Sequence, residues 1–223
     1  MNPTLHLVSV PIGNPLDLNL RAMEVLKTAD LIIGEEYKET AKFLKRNGIQ
    51  KDFELLNEHS SEEEIYELFE KLKQSESTCL FSDSGTPLLE DPGLRLVQYC
   101  IQNEIKISSV PGPAAFLTAL TLSGFPVSPF VFLGFLPKDA LEKKKYLTPY
   151  LSLKQNIVFY ETPYRYKKTI QEISGLVSGN KNVFLGLNLT AEDEYIFRGK
   201  WKDLGRILDS LPKAPPVIVI HNF

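Results

Sequence analysis

The chain has 223 residues, 25 basic against 28 acidic side chains and 43% hydrophobic residues, an ordinary globular composition with room for a real core. No tract of Gly, Ser or like charge marks a disordered tail, and a net charge of -3 gives no general attraction to nucleic acid, although a local basic patch remains open. The start, Met1 to His6, lacks a basic leader and no apolar run approaches the ~18 residues of a membrane span, so a soluble, non-secreted protein is expected.

Elements follow in a regular order. Short apolar runs at Leu5 to Val10, Leu31 to Gly34, Phe53 to Leu56, Thr78 to Phe81 and Ile105 to Val110 predict strands. Between them, helical spacing predicts helices at about 18–29, 38–47, 62–74 and 93–103. The third is best marked, because Ser61 and Glu64 form a capping box ahead of Ile65, Leu68, Phe69 and Leu72. This alternation predicts βαβ crossovers and a mostly parallel open sheet over residues 1–115.

A helix is expected from Ala114 to Leu122, and the strand signals then change. Runs at Phe130 to Phe135, Ile157 to Tyr160, Val183 to Leu189, Tyr195 to Phe197 and Val217 to Ile220 have only two good helix patterns among them, at 164–177 and 202–211, with a weaker one at 140–150. Some neighbours must then be antiparallel, so residues 116–223 are expected to form a second, mixed α/β lobe packed on the first. Cys79 and Cys100 fall inside a predicted strand and helix, which excludes a disulfide framework and fits a reduced, cytoplasmic compartment.

Prolines are unevenly placed: of 15, none lies between Leu16 and Thr86, and seven lie from Pro87 to Pro137. Stiff loops are thus expected after the strands, where ligands collect in open α/β sheets. Those loops are Pro11-Ile12-Gly13-Asn14-Pro15, Ser82-Asp83-Ser84-Gly85-Thr86-Pro87 running on to Glu90-Asp91-Pro92-Gly93, and Pro111-Gly112-Pro113-Ala114-Ala115. Each alone is compatible with a plain βα turn, but three on one sheet edge favour a ligand approaching bare backbone.

Common sites are not supported. No Walker phosphate loop, dinucleotide fingerprint or G-x-S-x-G elbow is present, and His6, His59 and His221 are isolated, so no metal is expected. His6 and His221 read as structural; His59, in Asn57-Glu58-His59-Ser60, reads equally as a solvated loop or a functional residue. Glu35-Glu36-Tyr37-Lys38 after the second strand is either a solvated helix start or a carboxylate pair beside a lysine that positions or deprotonates a hydroxyl. Arg165, in Glu161-Thr162-Pro163-Tyr164-Arg165, either grips a phosphate or carboxylate of the substrate or pairs with Glu161. Lys143-Lys144-Lys145 reads as a wet helix face, with an RNA-facing patch as the lesser reading.

The ordered set Pro11-Ile12-Gly13-Asn14, Ser82 to Pro87 with Asp91-Pro92-Gly93, Pro111-Gly112-Pro113 and Gly134-Phe135-Leu136-Pro137 resembles the tetrapyrrole methylase superfamily, over essentially the whole chain. Within it the chain is most similar to the group that methylates the cytidine ribose 2′-hydroxyl of small-subunit ribosomal RNA. The resemblance implies S-adenosylmethionine as methyl donor, a donor cleft between two α/β lobes, a homodimer, and ribosomal RNA or the small ribosomal subunit as partner. It further implies donor contacts at Pro11, Gly13, Ser84, Gly85, Thr86, Leu89, Ala114 and Ala115 in the first lobe. Tyr160, Leu187, Ala214 and Pro215 are the implied contacts in the second.

Three features depart from that group. Leu187-Asn188-Leu189-Thr190-Ala191 stands where it typically shows Arg-Glu-Leu-Thr-Lys, Lys213-Ala214-Pro215-Pro216 is closer to a porphyrin or corrin methylase ending, and the chain stops at Phe223. These keep two alternatives in view: a porphyrin- or corrin-type C-methyltransferase, and a donor-binding module without activity. For a ribose acceptor the candidate catalytic groups are Glu36, Lys38, His59 and Asp83, with no single base assigned.

Overall fold

The computed structural model describes residues 2–223, which divide into two compact units, 2–114 and Ala115–Phe223. The first unit alternates strands β1 (Thr4–Val8), β2 (Leu31–Gly34), β3 (Glu54–Leu55), β4 (Ser77–Leu80) and β5 (Lys106–Val110) with helices α1 (Leu20–Thr28), α2 (Tyr37–Arg46), α3 (Glu62–Lys73) and α4 (Leu94–Gln102). All strand pairs are parallel, in the order β3-β2-β4-β1-β5.

Period-two side chains of this sheet feed two cores. Val8, Ile32 and Cys79 pack with Ala22, Leu26 and Leu44 of α1 and α2, while Leu5, Ile33 and Leu80 pack with Leu68, Phe69, Leu72 and Leu96 of α3 and α4. Caps explain where the helices start. Asn19 accepts from the Ala22 amide, and Ser61 and Glu64 complete the expected capping box. Gly34 sets the approach of α2 to β2, because a Cβ there would sit 2.1 Å from Thr40 Oγ1. The strand expected to reach Val10 ends at Val8, and Val10 instead makes an isolated antiparallel bridge to Gly85.

The second unit opens with α5 (Ala115–Ser123) and continues through β6 (Phe130–Phe135), α6 (Ala140–Leu151), β7 (Gln155–Tyr160), α7 (Tyr166–Ile173), β8 (Asn182–Leu187), β9 (Tyr195–Lys200), α8 (Trp201–Ile207) and β10 (Pro216–Asn222). Its sheet runs β6-β7-β10-β8-β9, with β6 and β7 parallel and the remaining pairs antiparallel, the mixed sheet expected from the shortage of helices. Leu147, Ile157, Phe159, Tyr166, Ile170, Leu185, Trp201, Leu204 and Ile218 form its core.

Two expectations are corrected here. The strand read as far as Leu189 stops at Leu187, because Asn188 and Thr190 take left-handed backbone angles (φ 49 and 68) and the chain turns away. Lys143 is not on a wet face: it is 2% exposed, and its Nζ donates to Thr169 Oγ1 at 3.0 Å and Glu172 Oε2 at 2.6 Å. Lys144 and Lys145 do face solvent.

Candidate active site

Strand order locates the site of the first unit. The chain leaves β1 toward β2 on one side, and leaves β4 toward β5 on the other, so the β1 and β4 carboxyl ends form a topological switch point with a crevice between their loops. Those loops, together with the one after β5, are stitched into a single surface. Val10 and Gly85 exchange backbone hydrogen bonds (2.8 and 3.2 Å), Ser9 Oγ lies 3.0 Å from Thr86 Oγ1, and Thr86 Oγ1 donates to the Pro113 carbonyl at 3.0 Å. Asn19 adds a bond from Nδ2 to the Pro111 carbonyl (2.9 Å).

Gly85 is the keystone of that junction. Its φ is +79, and an added Cβ would meet Ile12 Cγ2 at 3.3 Å, so the close contact of the first two loops requires glycine. Pro11, Gly13, Ser84, Gly85 and Thr86 are thereby brought together, with Ala114 following the Pro113 carbonyl to which Thr86 bonds. Leu89 closes a turn back to Thr86 (3.4 Å), flanked by Leu88 and Glu90, both at φ 70. Because Thr86 spends its hydroxyl on the neighbouring loops, it presents backbone and methyl rather than a free polar group. A surface of stiff, largely uncharged backbone of this kind suits a group that has to be placed and shielded from water.

Beside it stands a cluster of carboxylates. The Asp83 amide donates to Glu35 Oε2 (3.1 Å), and the Glu36 amide donates to Asp83 Oδ1 (3.3 Å), crossing the two carboxyl ends of β2 and β4. Burial raises the Glu35 carboxyl to about 7 against the Asp83 amide bond, which lowers it, with the charges of Asp91, Asp83 and Glu36 raising it further. Burial likewise raises Asp91 to about 6, opposed by its bond to Ser82 and helped by Asp83 and Glu90. Asp83 is raised in the same sense, mainly by burial. No group of three His, Cys, Asp or Glu side chains suited to a metal ion occurs among the described residues.

The named candidates fall apart accordingly. Asp83 belongs to the cluster; Glu36 is exposed and contributes its backbone; Lys38 is exposed on the first turn of α2. His59 lines a different cavity of about 590 Å³ with Tyr37, Phe53 and Asn57, and its side chain is 84% exposed beside Glu58. Sequence reasoning named Glu35 in a carboxylate pair but kept Glu36 as the catalytic candidate, and it left out Asp91. Glu35 carried a usable signal, as the first residue past β2 on the loop edge, whereas nothing local sets Asp91 apart.

In the second unit, one sheet edge gathers Tyr160, Leu187, Ala214 and Pro215. Val217 pairs with Tyr160 and Pro216 with Leu187, while the Asn188 amide bonds the Pro215 carbonyl (3.1 Å). The Tyr160 hydroxyl accepts from the Phe116 amide (3.0 Å) just after Ala115, where α5 begins. Arg165 donates to Glu161 Oε2 (2.9 Å) and the Leu136 carbonyl (3.1 Å), the pairing offered by one of its two readings. His221 bonds Asn156 Oδ1 through Nδ1 (2.9 Å) and stacks on Phe125, a structural role as expected.

A parallel and a mixed five-stranded sheet thus occur in two α/β units, with proline-glycine loops at the switch point of the first. The model of the tetrapyrrole (corrin/porphyrin) methylases matches residues 4–205, and the chain belongs to that family, whose members use S-adenosylmethionine; it is an S-adenosylmethionine-dependent methyltransferase. It is 45% identical to a ribosomal RNA small subunit methyltransferase I of Leptospira borgpetersenii, over 98% of this chain and 87% of that protein. A protein of the same name from Vibrio cholerae is 34% identical over 99% of the chain and 78% of its own length. Among solved structures, diphthine synthase matches with a TM-score of 0.75 at 12% identity over 97% of this chain and 89% of that one. The methyltransferase CobJ matches at 0.73 and 14% over 100% and 95%. At such identity these two define the fold alone.

Proposed function

We propose that the chain methylates small-subunit ribosomal RNA, transferring the methyl of S-adenosylmethionine to a cytidine ribose 2′-hydroxyl. The observation that carries this reading is the full-length similarity to two proteins of that name at 34–45% identity, against 12–14% for the diphthine synthase and CobJ structures.

When bound, the donor supplies an electrophilic methyl on a sulfonium centre. Pro11, Gly13, Ser84, Gly85, Thr86, Leu89 and Ala114 are the first unit's candidates to hold it. A 2′-hydroxyl is a weak nucleophile, and its proton has to leave as the oxygen takes the methyl. Glu35 is the base we assign, replacing Glu36 and His59: its carboxyl sits near 7, ionises at neutral pH, and is oriented by the Asp83 amide. Asp83 and Asp91 keep that carboxylate basic. Lys38 and Arg165 have no assigned step. A cytoplasmic homodimer completes the reading, in keeping with free, buried Cys79 and Cys100 and no helix long and apolar enough to cross a membrane among the described residues.

The test is methyl transfer to small subunits from a strain deleted for this gene, with the modified nucleotide mapped. A new 2′-O-methylcytidine is expected. No incorporation, with S-adenosylhomocysteine still bound in calorimetry, would remove the ribosomal acceptor and leave the donor site.

A further inference from the structure

Helix α2 starts directly after the Glu35 carboxylate and carries four cations, Lys38, Lys42, Lys45 and Arg46, against one carboxylate, Glu39, in a chain whose net charge is -3. Spacings of four place Lys38, Lys42 and Arg46 in one row, all exposed, while Thr40 and Leu44 are buried on the opposite side. Helix capping accounts for only part of this row. Lys45 and Arg46 lie in the last turn, where cations are favoured, but Lys38 stands in the first turn, where the helix dipole opposes it.

Ion pairing does not account for it either. Lys42 reaches Glu39 only at 3.5 Å with both side chains about half exposed, a screened surface contact that holds neither side chain firmly.

Two cavities, one walled by α2 and the other by α3, differ in charge. One, of about 350 Å³, has Lys42, Arg46 and Gly13 on its walls with Glu39 and Asp83 as its acids. The other is walled by Glu54, Glu64 and Glu67 with Lys71 as its cation, and Lys71 is already bonded to Glu54. Helix α3 continues that acidic side, with Glu62, Glu63, Glu64, Glu67 and Glu70 against Lys71 and Lys73. A polyanion is therefore attracted along α2 and repelled along α3.

We infer that the exposed row Lys38, Lys42 and Arg46 of α2 is the track that holds the phosphate backbone of the RNA acceptor, leading its 2′-hydroxyl to Glu35. This rests on the ribosomal reading above. It names the contact surface, which that reading leaves open. Lys42 and Arg46 share a cavity with Pro11, Gly13 and Ser84, so their effect on the subunit has to be read separately from any effect on the donor.

The experiment compares wild-type protein with K42E/R46E and K42Q/R46Q on small subunits lacking the modification, as a function of salt. The expected result is a KM for the subunit raised roughly tenfold in the Gln pair and more in the Glu pair, with kcat within about twofold. The salt slope of log KM is expected to fall by about 2, one for each phosphate that the variant no longer neutralises. Unchanged KM and slope, with the wild type active, would overturn the track while leaving the ribosomal reading standing. A wild type inactive on the subunit would overturn both. If the Glu pair fails to fold, as judged by far-UV circular dichroism and a urea midpoint, the Gln pair carries the same comparison.

Discussion

The two units each hold a group of carboxylates near a strand end, and they treat it in opposite ways. In the first, Glu35, Asp83 and Asp91 are partly exposed, linked through backbone amides and Ser82, with no cation bonded to any of them among the described residues, and burial raises all three. In the second, Glu161 is fully enclosed and satisfied by the Thr162 amide (2.8 Å), Thr169 Oγ1 (2.6 Å) and Arg165 (2.9 Å). Thr169 then passes to Lys143, which pairs with Glu172 and, chiefly by that hydrogen bond, lowers its carboxyl. The same residue types give a structural joint where every lone pair is matched, and a proton acceptor where like charges are left facing one another.

The largest test of this contrast is Glu161→Ala. It strips three donors of their acceptor inside the second unit and leaves Arg165 without its counter-charge, a change worth about 3–5 kcal/mol for a broken buried pair. A urea midpoint should fall accordingly. A loss below about 1 kcal/mol would mean that water replaces the carboxylate and the joint is not structural.

Glu35→Gln is the matching change in the first unit, and it should act on rate instead. Loss of a positioned base costs about 10²–10⁴ in kcat. Stability should move the other way. A carboxyl raised from 4.5 to about 7 contributes most to stability below its unfolded value and loses that contribution as pH rises through 7. Gln does not titrate, and its carbonyl still accepts from the Asp83 amide. The variant should therefore melt above the wild type at pH 8, with the gap closing toward pH 4.5. A Tm gap that did not depend on pH would show that the Glu35 carboxyl is not raised.

How much of this was legible in the chain depends on distance along it. Strands such as β2 and β6, and helices such as α3 with its capping box, follow from neighbours within a few residues, and their bounds agree with the expected ones to within one residue. Lys143 illustrates what was readable but missed. Three consecutive lysines sweep more than half of a helix, and Lys143 is four residues before Leu147, which is fully buried, so one of them had to face the core. Glu35 illustrates what was readable only in part: its place just past β2 is local, but its distinction from Glu36 comes from the Asp83 amide, 48 residues away, and from burial by the folded loops. The left-handed turn at Asn188 is of the same kind, fixed by the Pro215 carbonyl across the sheet.

The smallest expected effect tests whether like charge, and not burial alone, sets the first unit's cluster. Asp91 ranks behind burial in raising Glu35 but ahead of the charges of Asp83 and Glu36, so Asp91→Asn should move the acid limb of the kcat profile below 7 by less than about one pH unit. The shift should show in that limb rather than in the plateau, because Glu35 itself is untouched. Asp91 is also raised, to about 6, so it carries its charge near pH 7 and has largely lost it at pH 5. The two carboxyls then titrate as a coupled pair, and the wild-type limb should be broader than a single ionisation. In the Asn variant it should sharpen to one ionisation as it moves. A limb that stays at 7 with the same breadth would assign the raised carboxyl to desolvation only, and the contrast between the units would rest on burial and pairing without the mutual repulsion of Glu35 and Asp91.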